Sequence, residues 1–177
     1  MTTKPVRRIV TVDDEQGQSV AISDGPSPDV RTDPARPGYS STRIWVTDRT
    51  PARVRVRETL ETPHTLEPPA GGSVCRVVTF PPEDSYRVEP RDVQAFFAAM
   101  GSPRASVEGP HPYMQQTRTL DFCLVLGGEI TLVLDTGEVA LKAGDTVVQR
   151  GTRHAWSNRS GKPCTIAFSS HDGAFQE

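Results

Sequence analysis

One histidine and one carboxylate in the last third of the chain stand where side chains could do chemistry. His154 lies in "GDTVVQRGTRHAWSN", Gly144 to Asn158, just past a glycine turn and beside Trp156. Asp121 lies in "MQQTRTLDF", Met114 to Phe122. Side chains alternate along a strand. If that strand reaches back through the threonines, Gln115, Thr117, Thr119, Asp121 and Cys123 share one face, and Met114, Phe122, Leu124 and Leu126 do not. Cys123 and Val125 continue the polar row, so the sheet is read as covered on both sides. A buried carboxylate needs a partner: a cation, a metal, or water in a cavity. By the same alternation His154, Trp156 and Asn158 share a face, while Arg150 and Arg153 are near enough in sequence to pair with Asp121 or with a ligand carboxylate. An imidazole titrating near 6.5 can take and give a proton near neutrality. Imidazole with carboxyl and amide oxygens, here His154, Asp121 and Gln115, could also hold a divalent ion. Against both stands a plainer reading. A lone histidine at a strand start is more often a hydrogen-bonded packing residue, and a polar row is more often a solvated face.

The elements that would position these residues are mostly strands. "RRIVTV" (Arg7 to Val12) and "SVAISD" (Ser19 to Asp24) flank a turn and read as a hairpin. The stretch from Gly25 to Thr42 holds Pro26, Pro28, Pro34 and Pro37 and reads as an extended loop, and its part from Gly25 to Tyr39 is long enough to serve as a lid. Arg43 to Asp48 resumes a strand, and Arg53 to Thr62 alternates at its start and reads as another. Thr62 to Gly72 is a second loop, followed by a strand over Ser73 to Phe80. One helix is expected, Pro90 to Gly101, with proline in its first turn, glycine as its C-terminal cap, and Val93, Phe96, Phe97 and Met100 on one apolar face. That face is expected to pack on the sheet. From Leu120 onward, short strands follow each other between glycine turns, which predicts an all-β barrel or double-sheet jelly roll. Trp156 and Phe122 are read as core residues rather than as aromatic lids.

Composition bounds the function. The chain has 177 residues, enough for one domain with a real core. A formal net charge of −2 argues against a nucleic-acid surface. Three cysteines, Cys75, Cys123 and Cys164, sit in apolar runs and read as reduced packing residues. The N-terminal stretch has no apolar leader core and no run reaches membrane-span length, so a cytoplasmic protein without membrane partners is expected.

From Gln115 to Ser170 the chain resembles the cupin superfamily, in its small single-domain, cupin-2 type. In the first cupin motif two histidines, a glutamate and a closing glycine correspond to Gln115, Thr117, Asp121 and Gly128 of "QQTRTLDFCLVLGG". In the second, Gly144, Gly151, His154 and Asn158 match in identity, while Gln149 stands where proline is usual. The sequence is also similar to a cupin subgroup with "HRTxTxDY" before the turn and "QRGTxHAW" after it; the histidine of that pattern falls at Gln115. The resemblance implies a cupin double-stranded β-helix (jelly-roll barrel) with an N-terminal strand extension and one short helix. It implies a single domain over 1–177, with 1–110 as extension, loops and helix and 111–177 as the core motifs. It also implies a homodimer. Of the family's metal ligands only His154 is kept in identity, with Asp121 as a shortened substitute. His111, flanked by Pro110 and Pro112, reads as loop rather than as a replacement ligand. The implied cofactor is therefore none or a weakly held divalent metal on His154, Asp121 and Gln115.

The function expected on these grounds is a small-molecule enzyme of lyase or isomerase type. It would run proton-transfer chemistry, as a cyclase, dehydratase, isomerase or decarboxylase does, on an organic acid, phenol or polyketide-like substrate of secondary metabolism. His154 and Asp121 would be catalytic, and Gln115, Thr117, Thr119, Trp156 and Arg150 would bind substrate. The alternatives are a ligand-binding cupin without catalysis, a metal-dependent oxygenase if a divalent metal is bound, and a cupin whose site has decayed. The retained polar row speaks mildly against decay.

Overall fold

The computed structural model describes residues 5–175; the outermost residues of both ends, with part of the N-terminal stretch read as leaderless, lie outside the described residues. The strands are β1 (Arg7–Asp13), β2 (Ser19–Pro26), β3 (Val30–Thr32), β4 (Ser40–Thr47), β5 (Ser73–Phe80), β6 (Thr119–Gly127), β7 (Glu129–Leu134), β8 (Glu138–Lys142), β9 (Thr146–Arg150), β10 (His154–Ser157) and β11 (Cys164–Asp172). The helix α1 spans Pro90–Ala99. β1 and β2 pair as a separate hairpin, β3-β4-β5-β11-β6-β9 form one sheet, and β10-β7-β8 form another. Inward side chains of both larger sheets meet in one core, where Val78, Cys123, Val125 and Ile166 join Ile130, Leu132 and Trp156. This is the all-β jelly roll expected from the spacing of strands and turns.

β6 shows why the alternation mattered. Thr119, Asp121, Cys123 and Val125 are buried, while Leu120, Phe122, Leu124 and Leu126 point outward. The expectation that both sides of this sheet are covered, and that Phe122 is a core residue, is corrected: Phe122 is 49% exposed, because among the described residues no layer lies over the outer face. The turn into β7 needs glycine. Gly128 has a φ of 81°, and a Cβ there would stand 2.6 Å from the Pro163 carbonyl oxygen and 2.9 Å from Cys164 Cα.

Two further expectations are corrected. The proline-rich loop is interrupted by β3, and β4 begins at Ser40 rather than Arg43. β3 pairs only with β4, so it is an edge strand, and the prolines around it remove no ladder bond that it needs. The stretch from Arg53 to Thr62 is not a strand but a run of turns. There Glu58 accepts a two-pronged pair of hydrogen bonds from Arg8, both at 2.9 Å, and also accepts the Thr59 and Leu60 amides. One carboxylate therefore folds the segment back on itself, and Val54 is left 88% exposed.

The helix ends where glycine was expected to cap it. The Ser102 amide donates to the Phe97 carbonyl at 2.9 Å, and Gly101 takes a φ of 68°. Val93, Phe96, Phe97 and Met100 are all buried in the barrel core, with Phe96 edge-on to Tyr39 and Tyr113. The three cysteines are free, two of them buried and Cys75 half-buried. Among the described residues no helix is long and apolar enough to cross a membrane.

Two buried polar side chains fasten the loops and make testable claims. Asn158, 1% exposed, donates to the carbonyls of Phe80 and Lys162, both at 2.9 Å, and accepts from the Ser160 amide at 3.0 Å and hydroxyl at 2.8 Å. It ties the end of β5 to the turn between β10 and β11. Asn158→Ala should lower the free energy of unfolding in urea by about 2 kcal/mol or more, since several buried hydrogen bonds are lost at once. A change under about 0.5 kcal/mol would rule out this fastening role.

His64 has a side chain only 1% exposed, with Nδ1 3.1 Å from Asp29 and a buried Nε2 without a partner. Burial lowers its pKa; Asp29 opposes this without overcoming it. The folded state thus resists a proton that the unfolded chain binds near 6.5. Stability is full above that pH and is lost as pH falls below it, and the buried His154 contributes in the same sense. The urea midpoint should fall between pH 7.5 and 5.5, and fall less in His64→Gln. Equal falls in both proteins would remove His64 as a cause.

Candidate active site

A cavity with about 660 Å³ of atom-free space, counted out to its mouth, opens inside the barrel. β6 contributes Thr119 and Asp121, β10 contributes His154 and Trp156, β5 contributes Arg76, and α1 closes one side with Phe96 and Phe97. Gln115 and Thr117 line it from the segment just before β6.

His154 opens β10 immediately after a tight turn. Gly151 there has a φ of 64°, and a Cβ on it would stand 2.9 Å from the Phe175 ring and 3.2 Å from the Thr117 carbonyl. Gln115 and His154 exchange backbone hydrogen bonds of 2.8 and 3.0 Å, so the two residues face each other. His154 Nδ1 lies 2.9 Å from the Thr152 carbonyl, which can only accept. In the neutral ring Nδ1 therefore carries the proton, and Nε2 holds a lone pair toward Gln115 Nε2 at 3.2 Å. Burial holds the imidazole pKa below its ordinary value; the Thr152 carbonyl and Asp121 oppose that shift without cancelling it. Gln149, at the position where proline is usual, donates to the same Thr152 carbonyl at 3.2 Å. The departure from the motif is thus offset by a hydrogen bond that steadies the turn.

Asp121 ends a row of hydroxyls. Thr117 and Thr119 hydroxyls are 2.8 Å apart, and Thr119 donates to Asp121 Oδ2 at 3.2 Å. Asp121 Oδ1 is buried without a partner. The cation that faces Asp121 is Arg76, whose guanidinium donates to the carbonyls of Thr65 and Leu66 and to Ser170 Oγ at 3.3 Å. Ser170 is the residue paired with Asp121 across β11 and β6. Burial lowers the Arg76 pKa and the Asp121 charge opposes that shift.

The structure brings together Gln115, Thr117, Thr119, Asp121, His154 and Trp156 around the cavity. It does not bring Arg150, which is exposed and lines a separate depression with Arg118 and Phe175. The reason is alternation: Gln149 takes the inward position of β9, so Arg150 must point out. Arg153 donates to the Glu108 carbonyl and stands 3.5 Å from Asp135, so it serves neither Asp121 nor the cavity. His111 sits beside the cavity wall rather than on it. Its Nε2 binds Glu83 at 2.8 Å, and Glu83 in turn accepts from Ser157 at 2.8 Å. Burial would raise the Glu83 carboxyl, but the His111 and Ser157 hydrogen bonds outweigh it and hold it low.

Sequence reasoning missed Arg36 and Arg76. Arg76 had a signal, since it sits at an inward position of the apolar run "SVCRVVTF", with Val74 and Val78 on either side. Arg36 lies in the proline-rich loop, where no period marks a direction. That loop does reach the cavity, through Arg36 and Tyr39.

A cupin metal centre would draw on His154, Asp121 and Gln115. They supply one imidazole, one carboxylate and one amide, and the amide nitrogen stands against the free imidazole nitrogen. Among the described residues no group of three His, Cys, Asp or Glu side chains could hold a metal. Neutral amide and hydroxyl oxygens are weak ligands for first-row transition ions, so this donor set does not fit a tightly held one.

A comparison with protein families agrees with the motifs. The family model for the cupin domain matches residues 102–169. Phomopsin biosynthesis cluster protein C' of Diaporthe leptostromiformis is 55% identical over 53 residues, 29% of this chain and 28% of that protein. The cupin-domain-containing oxidoreductase fogC of Aspergillus ruber is 29% identical over 160 residues, 88% of this chain and 66% of that protein. This chain thus spans less than a third of the first relative and about two thirds of the second. The Schizosaccharomyces pombe Cnp3 cupin domain aligns at 9% identity with a TM-score of 0.46, over 94% of this chain and 87% of that one. Residues 102–169, from just after the helix cap into the last strand, are thus a cupin domain.

Proposed function

We propose that this cupin is a small-molecule enzyme of secondary metabolism that moves a proton on its substrate, with His154 as the base and Asp121 as its electrostatic partner. The observation that carries this reading is the fixed tautomer of His154. Nδ1–H is committed to the Thr152 carbonyl, so Nε2 is the one basic nitrogen on the cavity. A substrate that displaces the Gln115 amide would present an acidic C–H or O–H to that lone pair. The imidazolium formed would be stabilised by the nearby Asp121, which already favours the charged form of the ring. Thr117 and Thr119 offer hydroxyls to substrate oxygens, and Gln115 offers an amide. The relative from a phomopsin biosynthesis cluster supports placing the chemistry in secondary metabolism.

The test is solvent-proton exchange. Enolisable keto acids, acyl phenols and polyketide-like diketones are incubated with the protein in deuterated buffer, and loss of the carbon-bound proton is followed by NMR. Exchange above background is expected for one of these classes. His154→Gln and Asp121→Asn, shown to be folded by their urea transitions, should each lower it by about 100-fold or more. A folded His154→Gln that exchanges at the wild-type rate would eliminate the base assigned here. Binding without exchange would favour the non-catalytic ligand-binding cupin.

The name oxidoreductase carried by fogC favours a second reading, a redox enzyme. Metal content by mass spectrometry separates the two. One equivalent of metal in the purified protein, lost in His154→Ala, would favour that second reading over the first. Sub-stoichiometric metal that is unchanged in the variant is the expected result.

A further inference from the structure

The cavity carries a cation that its own wall leaves unpartnered. Arg36 is 3% exposed, yet among the described residues its guanidinium makes no ion pair and no side-chain hydrogen bond, and its Nε is buried without a partner. Asp33 and Glu83 are the carboxylates close enough to act on it by charge, but neither pairs with it. Glu83 is already held by His111 and Ser157. The Tyr86 hydroxyl is near Arg36 without hydrogen-bond geometry. Aromatic rings surround the guanidinium instead, at 4.1 Å from the Tyr113 centroid, 4.9 Å from Tyr39, 5.3 Å from Phe96 and 5.5 Å from Tyr86. Ring faces attract a cation but satisfy few of its five N–H donors. The hydroxyl of Tyr113, whose ring the guanidinium overlies, is also buried and unpartnered. A buried charge in that condition is costly unless something completes it.

The charges of the lining point the same way. Arg36 and Arg76 stand against the single carboxylate Asp121. Arg76 is spent on Thr65, Leu66, Ser170 and the field of Asp121. Arg36 is therefore the free positive charge of the cavity. An unbroken aromatic wall connects it to the imidazole: Tyr39 to Phe80 at 6.0 Å, Phe80 to Trp156 at 6.4 Å, and Trp156 to His154 at 6.0 Å.

We propose that Arg36 is the anchor for a substrate carboxylate, and that the cavity takes a monoanionic aromatic or similarly apolar carboxylic acid. The carboxylate sits on Arg36 and Tyr113, the apolar body lies along Phe80 and Trp156, and the opposite end meets His154. This rests on the reading of the cavity as a substrate site, and it narrows the substrate class. Arg36 binds the substrate but touches none of the reacting atoms.

Direct binding tests it without turnover. Benzoate, phenylacetate and 3-phenylpropionate, each beside its neutral amide, are titrated into the full chain at pH 7.5 by calorimetry, with Trp fluorescence as a second readout. At least one carboxylate is expected to bind about tenfold or more tightly than its amide, the size expected for a charge-assisted contact. Arg36→Met keeps the length and apolar contacts of the side chain, and should lose that preference for the acid over the amide. Arg36→Lys should keep part of it. If Arg36→Met does not fold, Arg36→Lys and the salt dependence of wild-type binding decide, since an anion on a cation must weaken relative to the amide as salt rises. Equal binding of acid and amide, no binding of any acid, or an acid preference that survives Arg36→Met overturns the proposal. A folded His154→Gln that still prefers the acid, in a protein that exchanges no substrate proton, would leave the anchor standing and remove the proton-transfer reading. The reverse pattern would do the opposite.

Discussion

The Thr152 carbonyl is the acceptor on which the chemistry of the barrel depends. It takes the Nδ1 proton of His154 at 2.9 Å and a donor of Gln149 at 3.2 Å. A backbone oxygen has no proton to offer, so it dictates which ring nitrogen is protonated. A side-chain acceptor could rotate away; a carbonyl inside a turn cannot. That turn is held by a glycine whose missing Cβ lets it pass between the Phe175 ring and the Thr117 carbonyl. The orientation of a single lone pair therefore follows from the turn geometry, and the turn geometry from Gly151 and Gln149.

The second constraint is the polar interior of a closed barrel. Inward positions of β6 and β5 carry Thr119, Asp121 and Arg76 among apolar neighbours. Neither charge could remain buried alone, and they offset one another at a distance, with Ser170 between them. Hydrogen bonds to the carbonyls of Thr65 and Leu66 take most of the remaining donors of Arg76, which fastens the loop before β5 to the cavity wall. The same groups thus stabilise the barrel and set its internal field. Substitution of either charge alone would leave the other uncompensated, so stability and site electrostatics are coupled here.

Much of this was legible in the sequence because strand alternation is a strict rule. It grouped Thr117, Thr119 and Asp121 on one face and His154 with Trp156 on another, two faces that the cavity joins, and the helical spacing of Val93, Phe96, Phe97 and Met100 gave the buried face of α1. The rule fails where the chain is not a strand. "RVRVR" alternates like one, but Glu58 binds Arg8 and the Thr59 and Leu60 amides, and the segment turns instead. Arg36 was illegible for a related reason. Its direction comes from a turn in which the Asp33 carboxylate accepts the Ala35 amide and its carbonyl accepts the Arg36 amide, and such local bonds leave no period in a sequence. The outer face of β6 was misjudged because alternation says which residues share a side, not whether anything covers that side.

The pattern of replacement at the cupin motif positions carries one more argument. A pocket that had lost all use would be expected to fill with apolar side chains, since each orphaned polar atom in a dry interior costs about 1–3 kcal/mol. This interior instead keeps Asp121 Oδ1, Trp156 Nε1, Tyr113 Oη and Arg36 Nε buried and unpartnered. Trp156 Nε1 and Arg36 Nε can only donate, Tyr113 Oη can donate or accept, and Asp121 Oδ1 accepts. They sit on an apolar wall that runs from the guanidinium to the imidazole. An interior with that balance is complementary to an anion with a hydrophobic body, and the polar groups that weaken it as a metal centre leave it suited to an organic acid.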